Sequence, residues 1–222
     1  MIDKPEALNE QSGDTDTNKL RGLYAITDEK LITDDNFSTS IKSVLQGGAH
    51  IIQYRDKSGN HEKRLRQARV IRSLCDHYNA LCIINDDIEL ARSVDADGVH
   101  LGREDISLNV ARNALGSDAV IGISCYNDID RALTAQKGSA DYVAFGSMFS
   151  SPTKPDAPST GPDIINQARQ LLNIPICAIG GITEKNISQL IANKVDMVAV
   201  ISCLFASDNI EATALDLSSL FK

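Results

Sequence analysis

The chain has 222 residues, 42% hydrophobic and 23% charged, with a formal net charge of −8. That length supports one large domain whose core needs no staple, and the acidic balance argues against nonspecific nucleic-acid binding while leaving room for a local basic pocket that grips an anionic metabolite. No apolar run approaches the roughly 20 residues that span a bilayer, residues 1–18 lack the apolar stretch of a secretory leader, and the five scattered cysteines (Cys75, Cys82, Cys125, Cys177, Cys203), with no Cys-x-x-Cys pair, fit free thiols in a reducing cytoplasm.

Residues 1–18 are rich in Asp, Glu, Asn, Thr and Gln and read as a flexible polar tail. From residue 19 to 222, short β-like runs alternate with helical patterns. The expected strands are Leu23–Thr27, His50–Tyr54, Leu81–Asn85, Gly98–Leu101, Val120–Ser124, Tyr142–Gly146, Pro175–Gly180 and Met197–Ile201. Between and after them lie the expected helices Phe37–Leu45, Leu65–Tyr78, Ile88–Val94, Leu108–Leu115, Ile129–Gln136, Ile164–Leu172, Ile187–Ala192 and Ile210–Leu220. Asp35 or Asn36, Asp87, Ser107, Asp128, Asp163, and Thr183 or Asn186 stand where N-caps belong. Strands apolar on both faces imply parallel strands covered by helices. The alternation therefore predicts a single-domain (β/α)8 barrel. An open doubly wound sheet is the alternative, but the first turn, Thr27-Asp28-Glu29-Lys30, carries no glycine-rich dinucleotide fingerprint.

In such a barrel the chemistry sits where strands end, so the residues at those exits carry the functional reading. Gln53, Arg55 and Lys57 share one face if the second strand runs on through them. One amide and two cations on one face suit a polyanion such as pyrophosphate. Asn85-Asp86-Asp87 follows the third strand, and Gly102-Arg103-Glu104-Asp105 the fourth. Mg²⁺ is held by one or two carboxylates together with substrate phosphates, which suits Asp86 and Asp105, although carboxylates at these places also serve as caps and turns. Asp87 suits a cap better than a metal. Strand five ends at Ser124. The run Phe149 to Pro158, rich in hydroxyls and proline and carrying Ser151, Thr153 and Lys154, is long for a plain connector and reads as a functional lid. Gly180-Gly181 either makes a tight left-handed turn or lets backbone N–H groups approach an anion.

Taken in order, Gly22-Leu23-Tyr24-Ala25-Ile26-Thr27-Asp28, Gln53-x-Arg55-x-Lys57, Ile84-Asn85-Asp86-Asp87, Asp97 through Asp105, Gly122-Ile123-Ser124, Asp141 through Gly146, Thr153-Lys154 and Ile179-Gly180-Gly181-Ile182 resemble the thiamine-phosphate synthase family from Leu23 to Leu204. The resemblance implies a barrel transferase that joins a pyrimidine diphosphate to a thiazole phosphate, giving thiamine phosphate and pyrophosphate through a pyrimidine cation. It implies that Gln53, Arg55, Lys57, Asn85, Ser124 and Lys154 hold the pyrimidine diphosphate, with Arg55, Lys57, Ser124 and Lys154 serving catalysis. Asp86 and Asp105 would bind Mg²⁺, and Ser151, Thr153, Gly181, Ile201 and Ser202 would hold the thiazole phosphate. The family loop often reads Pro-Thr-x-Thr-Lys; here it is Ser150-Ser151-Pro152-Thr153-Lys154.

Two rival readings stand beside this one. A related thiazole tautomerase shares the barrel but relies on a His soon after the strand-five Ser, where this chain has Cys125-Tyr126-Asn127. A noncatalytic phosphate-binding barrel is the other. The expected partners are small-molecule substrates, with no nucleic acid and no membrane. A homo-oligomer is compatible with the sequence, which sets no oligomeric state.

Overall fold

The computed structural model of the chain describes residues 19–150 and 160–221. The expected tail, and Ser151, Thr153 and Lys154 of the expected lid, lie outside these residues. Eight parallel strands, β1 (Gly22–Ile26), β2 (Ile51–Tyr54), β3 (Leu81–Asn85), β4 (Gly98–Leu101), β5 (Val120–Tyr126), β6 (Tyr142–Phe145), β7 (Ile176–Ile179) and β8 (Met197–Val200), each pair with the next, and β8 pairs with β1 to close a barrel. Around it lie α1 (Phe37–Gln46), α2 (His61–Tyr78), α3 (Ile88–Ser93), α4 (Leu108–Leu115), α5 (Ile129–Lys137), α6 (Asp163–Leu171), α7 (Ile187–Ala192), the one-turn α8 (Ser202–Phe205) and α9 (Ile210–Ser219). This is the expected (β/α)8 barrel.

Alternation along each strand sorts its side chains into two cores. Outward residues such as Leu23, Ile52, Ile84, Val99 and Val143 pack under the helices. Inward residues such as Tyr24, Ile51, Ile83, Val120, Tyr142 and Met197 fill the barrel.

Several local expectations need correction. β2 ends at Tyr54 as expected and does not run on through Arg55 and Lys57, which with Asp56 belong to the following loop. The Arg55 N–H donates to Thr27 Oγ1 at 2.8 Å, a side chain at the exit of β1. α2 begins at His61, four residues early, because the Asn60 side chain accepts from Lys63 N at 3.0 Å and starts the helix within a polar stretch. Asp87, Ser107 and Asp128 do cap α3, α4 and α5. Asp163 is instead the first residue inside α6, and neither Asn36 nor Asn186 makes a side-chain cap. Asn186 accepts from Thr183 N (2.8 Å) and donates to Gly181 O (2.9 Å), so it ties down the loop after β7. The one-turn α8 was not expected at all.

One motif recurs at the end of the barrel where strands begin. Asp97, Asp141 and Asp196 each precede an even-numbered strand. Each carboxylate accepts a backbone N–H from the first or second residue of the preceding strand: Cys82 (2.6 Å), Ile121 (2.7 Å) and Ile176 (2.7 Å). Each also pairs with an arginine of the helix before that strand: Arg72 with Asp97, Arg112 with Asp141, Arg169 with Asp196. A charge-assisted hydrogen bond of this kind contributes about 1.5–3 kcal/mol. β2 breaks the pattern: Ala49-His50 precedes it, and His50 Nδ1 meets Arg21 O at 3.0 Å.

Candidate active site

At the opposite, C-terminal end, the inward positions turn polar. Gln53 is the last inward residue of β2 and only 2% exposed. Its Nε2 donates to Tyr24 Oη at 2.6 Å. Tyr24 Oη meets Tyr142 Oη at 2.8 Å, Tyr142 Oη meets His100 Nδ1 at 2.9 Å, and His100 Nε2 meets Ser124 Oγ at 2.8 Å. Gln53 and Ser124, both expected in the site, are thus joined through the middle of the barrel by Tyr24, Tyr142 and His100. Gly122 makes this possible: a Cβ there would come within 2.0 Å of Tyr142 Cζ. Burial pushes the His100 imidazole down to about 4, against the pull of Asp105, so it is neutral at pH 7. Burial raises both tyrosine hydroxyls well above their ordinary range.

Above this layer lies the charged rim. In the loop after β2, Asp56 turns away from the mouth. Burial alone would raise its carboxyl, but Lys63, at 2.7 Å, and Ser58 hold it below the ordinary value. Lys57 turns the other way and pairs with Asp86 at the exit of β3. Asn85 Nδ2 donates to the same Asp86 oxygen at 2.6 Å. Asp86 has left-handed backbone, φ 63°, a conformation Asp adopts more readily than most residues with a side chain. Its N–H is held by His100 O at 3.0 Å. Asp87 faces elsewhere, capping α3 and pairing with Arg64 at 2.8 Å.

Asp105, in the loop after β4, accepts from Gly102 N at 2.6 Å. Burial and then the neighbouring Asp86 carboxyl raise its pKa, opposed by the Gly102 N–H and by Lys57. Two carboxylates from adjacent strand exits therefore act on each other, with Lys57 paired to Asp86. Arg55, anchored by its backbone to Thr27, makes no side-chain ion pair among the described residues. A cleft of about 590 Å³ opens beside Lys57, Asn85 and Asp86; Asp56, Arg64, Asp87, Ile106 and Val110 line it as well, and Arg55, Asp105 and Ser124 do not.

Across the mouth, Gly180 (φ 106°) and Gly181 (φ 64°) lie against the backbone leaving β6. A Cβ on Gly181 would come within 2.4 Å of Phe149 O, so close approach of two loops requires glycine there. Thr160 N donates to Ser147 O at 2.8 Å and Gly161 N to Met148 O at 3.2 Å, so the chain returns after residue 159 to the exit of β6. Ile201 and Ser202 open α8 beyond β8. Of the expected site residues that are described, Arg55, Lys57, Asp86, Asp105, Gly181, Ile201 and Ser202 follow strands at this one mouth, Asn85 ends β3, and Gln53 and Ser124 lie inside β2 and β5 near their ends, β5 running on to Tyr126 past its expected end at Ser124. Tyr24, Tyr142 and His100, which join this polar layer, were not among the expected site residues. Their only signal in the sequence is a polar or hydroxyl group at an inward position of an otherwise apolar strand.

The model of the family described as thiamine monophosphate synthase matches residues 23–204, from β1 into α8. The chain belongs to the thiamine monophosphate synthase family. Members of that family similar to this chain include the thiamine-phosphate synthase of Thioalkalivibrio sulfidiphilus, 47% identical over 92% of this chain and 97% of the relative. That of Nitrosococcus oceani is 47% identical over 89% of this chain and 91% of the relative. Among solved structures, thiamine phosphate pyrophosphorylase from Pyrococcus furiosus superposes with a TM-score of 0.84 at 34% identity, covering 92% of this chain and 96% of that one. The family match takes in the whole barrel and leaves α9 outside.

Proposed function

We propose that the chain is a transferase that joins the diphosphate of 4-amino-5-hydroxymethyl-2-methylpyrimidine to a phosphorylated hydroxyethyl-thiazole, giving thiamine phosphate and pyrophosphate. The observation that carries this reading is the gathering of Lys57 and Asn85 on one Asp86 oxygen at the mouth of the barrel, with the Asp105 carboxyl near enough for Asp86 to raise it. Two carboxylates forced together are poor for stability and good for a divalent cation. Among the described residues no group of three or more His, Cys, Asp or Glu could form an all-protein metal cage. Two carboxylates that leave further positions to phosphate and water are what Mg²⁺ takes with a diphosphate substrate. Asp86 and Asp105 would hold it, and when bound it neutralises charge building on the leaving diphosphate.

Arg55, Lys57 and Asn85 bind the diphosphate in this reading, with Lys154, outside the described residues, as a further cation. As the C–O bond to the pyrimidine methylene breaks, its electron pair leaves with pyrophosphate, and these groups stabilise that charge. The aminopyrimidine ring spreads the resulting positive charge. The thiazole nitrogen then donates its lone pair to the methylene carbon, so no protein nucleophile is needed. Gln53 and Ser124 orient the pyrimidine. Gly181, Ile201 and Ser202 hold the thiazole phosphate, with Ser151 and Thr153. Among the described residues, neither Gly181 N nor Ile182 N donates a hydrogen bond, and the loops after β7 and β8 with a short extra helix are a frequent phosphate site in such barrels.

No described helix is long and apolar enough to cross a membrane. Five free thiols suit a cytoplasmic setting. The test is to mix both precursors with Mg²⁺ and measure pyrophosphate. Release only when all three are present is expected; ligand binding without release would favour a noncatalytic barrel.

A further inference from the structure

The polar chain through the barrel takes its direction from the Gln53 amide, and with Nε2 on Tyr24 the rest follows by donor counting. Gln53 Nε2 donates to Tyr24 Oη, so the Tyr24 hydrogen goes to Tyr142 Oη. Tyr142 then gives its own hydrogen to His100 Nδ1, which must be unprotonated. The imidazole proton therefore sits on Nε2 and is donated to Ser124 Oγ. At the far end Ser124 keeps its own hydrogen to give away, and at the near end Gln53 Oε1, with no partner among the described residues, is left to accept.

We propose that Tyr24, Tyr142 and His100 are positioning residues: an ordered hydrogen-bond relay that presents Ser124 to the ligand as a donor and Gln53 as an acceptor. Resting on the function proposed above, this polarity suits an aminopyrimidine, which offers ring nitrogens to a donor and an exocyclic amine to an acceptor. The relay is packed to hold its order. Tyr142 stacks on His100 at 5.6 Å between ring centroids and meets Tyr24 edge-on at 6.1 Å. Gly122 leaves the room the Tyr142 ring occupies. Turning the Gln53 amide over would reverse every bond in the chain. The proton position on one imidazole thus reports the order of the whole relay.

The experiment has two arms. In the ligand-free full chain, ¹⁵N spectra of labelled histidine, with His100 assigned by comparison with His100→Gln, should place the proton on Nε2; a proton on Nδ1 overturns the proposed polarity. In steady-state kinetics, Tyr142→Phe should raise KM for the pyrimidine diphosphate about tenfold, leave KM for the thiazole phosphate within about twofold, and be non-additive with Ser124→Ala. Equal shifts in both KM values, or simple additivity, would reduce Tyr142 to a packing residue. Wild-type protein that joins neither substrate would defeat the proposed function, while the ¹⁵N measurement would still decide the relay's order.

Discussion

The two ends of this barrel treat their carboxylates in opposite ways. Where strands begin, Asp97, Asp141 and Asp196 each hold an arginine and a backbone N–H, Arg72 being shared between Asp97 and Asp76. Where strands end, Asp86 and Asp105 face each other, and Asp86 sits on left-handed backbone. The first arrangement satisfies each charge and ties helix to strand. The second sets Asp105 beside the Asp86 that Lys57 already holds, so two acids share one cation among the described residues. An end whose charges are paired reads as stability, and an end whose charges are crowded reads as binding.

That contrast can be broken from either side. The largest expected effect is on turnover: Asp86→Asn should lower kcat by ~10² or more, because it removes charge needed chiefly in the transition state. Its melting temperature should move by no more than about 2 °C, since an exposed lysine pair contributes little. A large loss of stability with kcat retained would reverse the assignment of the two ends. The mirror experiment is Asp141→Ala, which strands the Ile121 N–H and Arg112. It should cost about 2 kcal/mol and lower the melting temperature by about 4–8 °C while leaving kcat nearly unchanged.

A smaller effect sharpens the account of the rim. Mg²⁺ with pyrophosphate should raise the melting temperature of the wild-type chain and leave that of Asp105→Asn nearly unmoved, as read by thermal unfolding. The smallest effect concerns Asp56, the carboxylate that turns away from the mouth. Its folded pKa lies below the unfolded value, held there by Lys63 and Ser58. The stability it contributes is therefore present above about pH 4 and fades as pH falls through the folded pKa. Denaturant unfolding should show the gap between wild type and Asp56→Asn narrowing on acidification; a gap that widens would contradict the sign.

All eight strands were legible in the sequence, because burial on both faces leaves continuous apolar runs such as Leu81–Ile84 and Met197–Val200. The caps at Asp87, Ser107 and Asp128 were legible for a local reason: an acceptor stands just before an apolar-periodic run. The end of β2 at Tyr54 was legible too, but the path of Arg55 and Lys57 beyond it was not, since alternating charges imitate a strand while the Arg55 N–H is held by Thr27, 28 residues away. The relay was hidden for a related reason. Tyr24, His100 and Tyr142 lie on three strands that meet only once the barrel closes, and in linear order each is one inward side chain among apolar neighbours. The one-turn α8 is too short for any periodic pattern to announce it.

The convergence of the rim on one metal-bound diphosphate is tested most directly by a crystal structure grown with Mg²⁺ and pyrophosphate. The account predicts one metal ion bridging Asp86 and Asp105 to the diphosphate, with Lys57 and Arg55 on its oxygens. A diphosphate bound away from these two carboxylates, or held with no metal between, would contradict it.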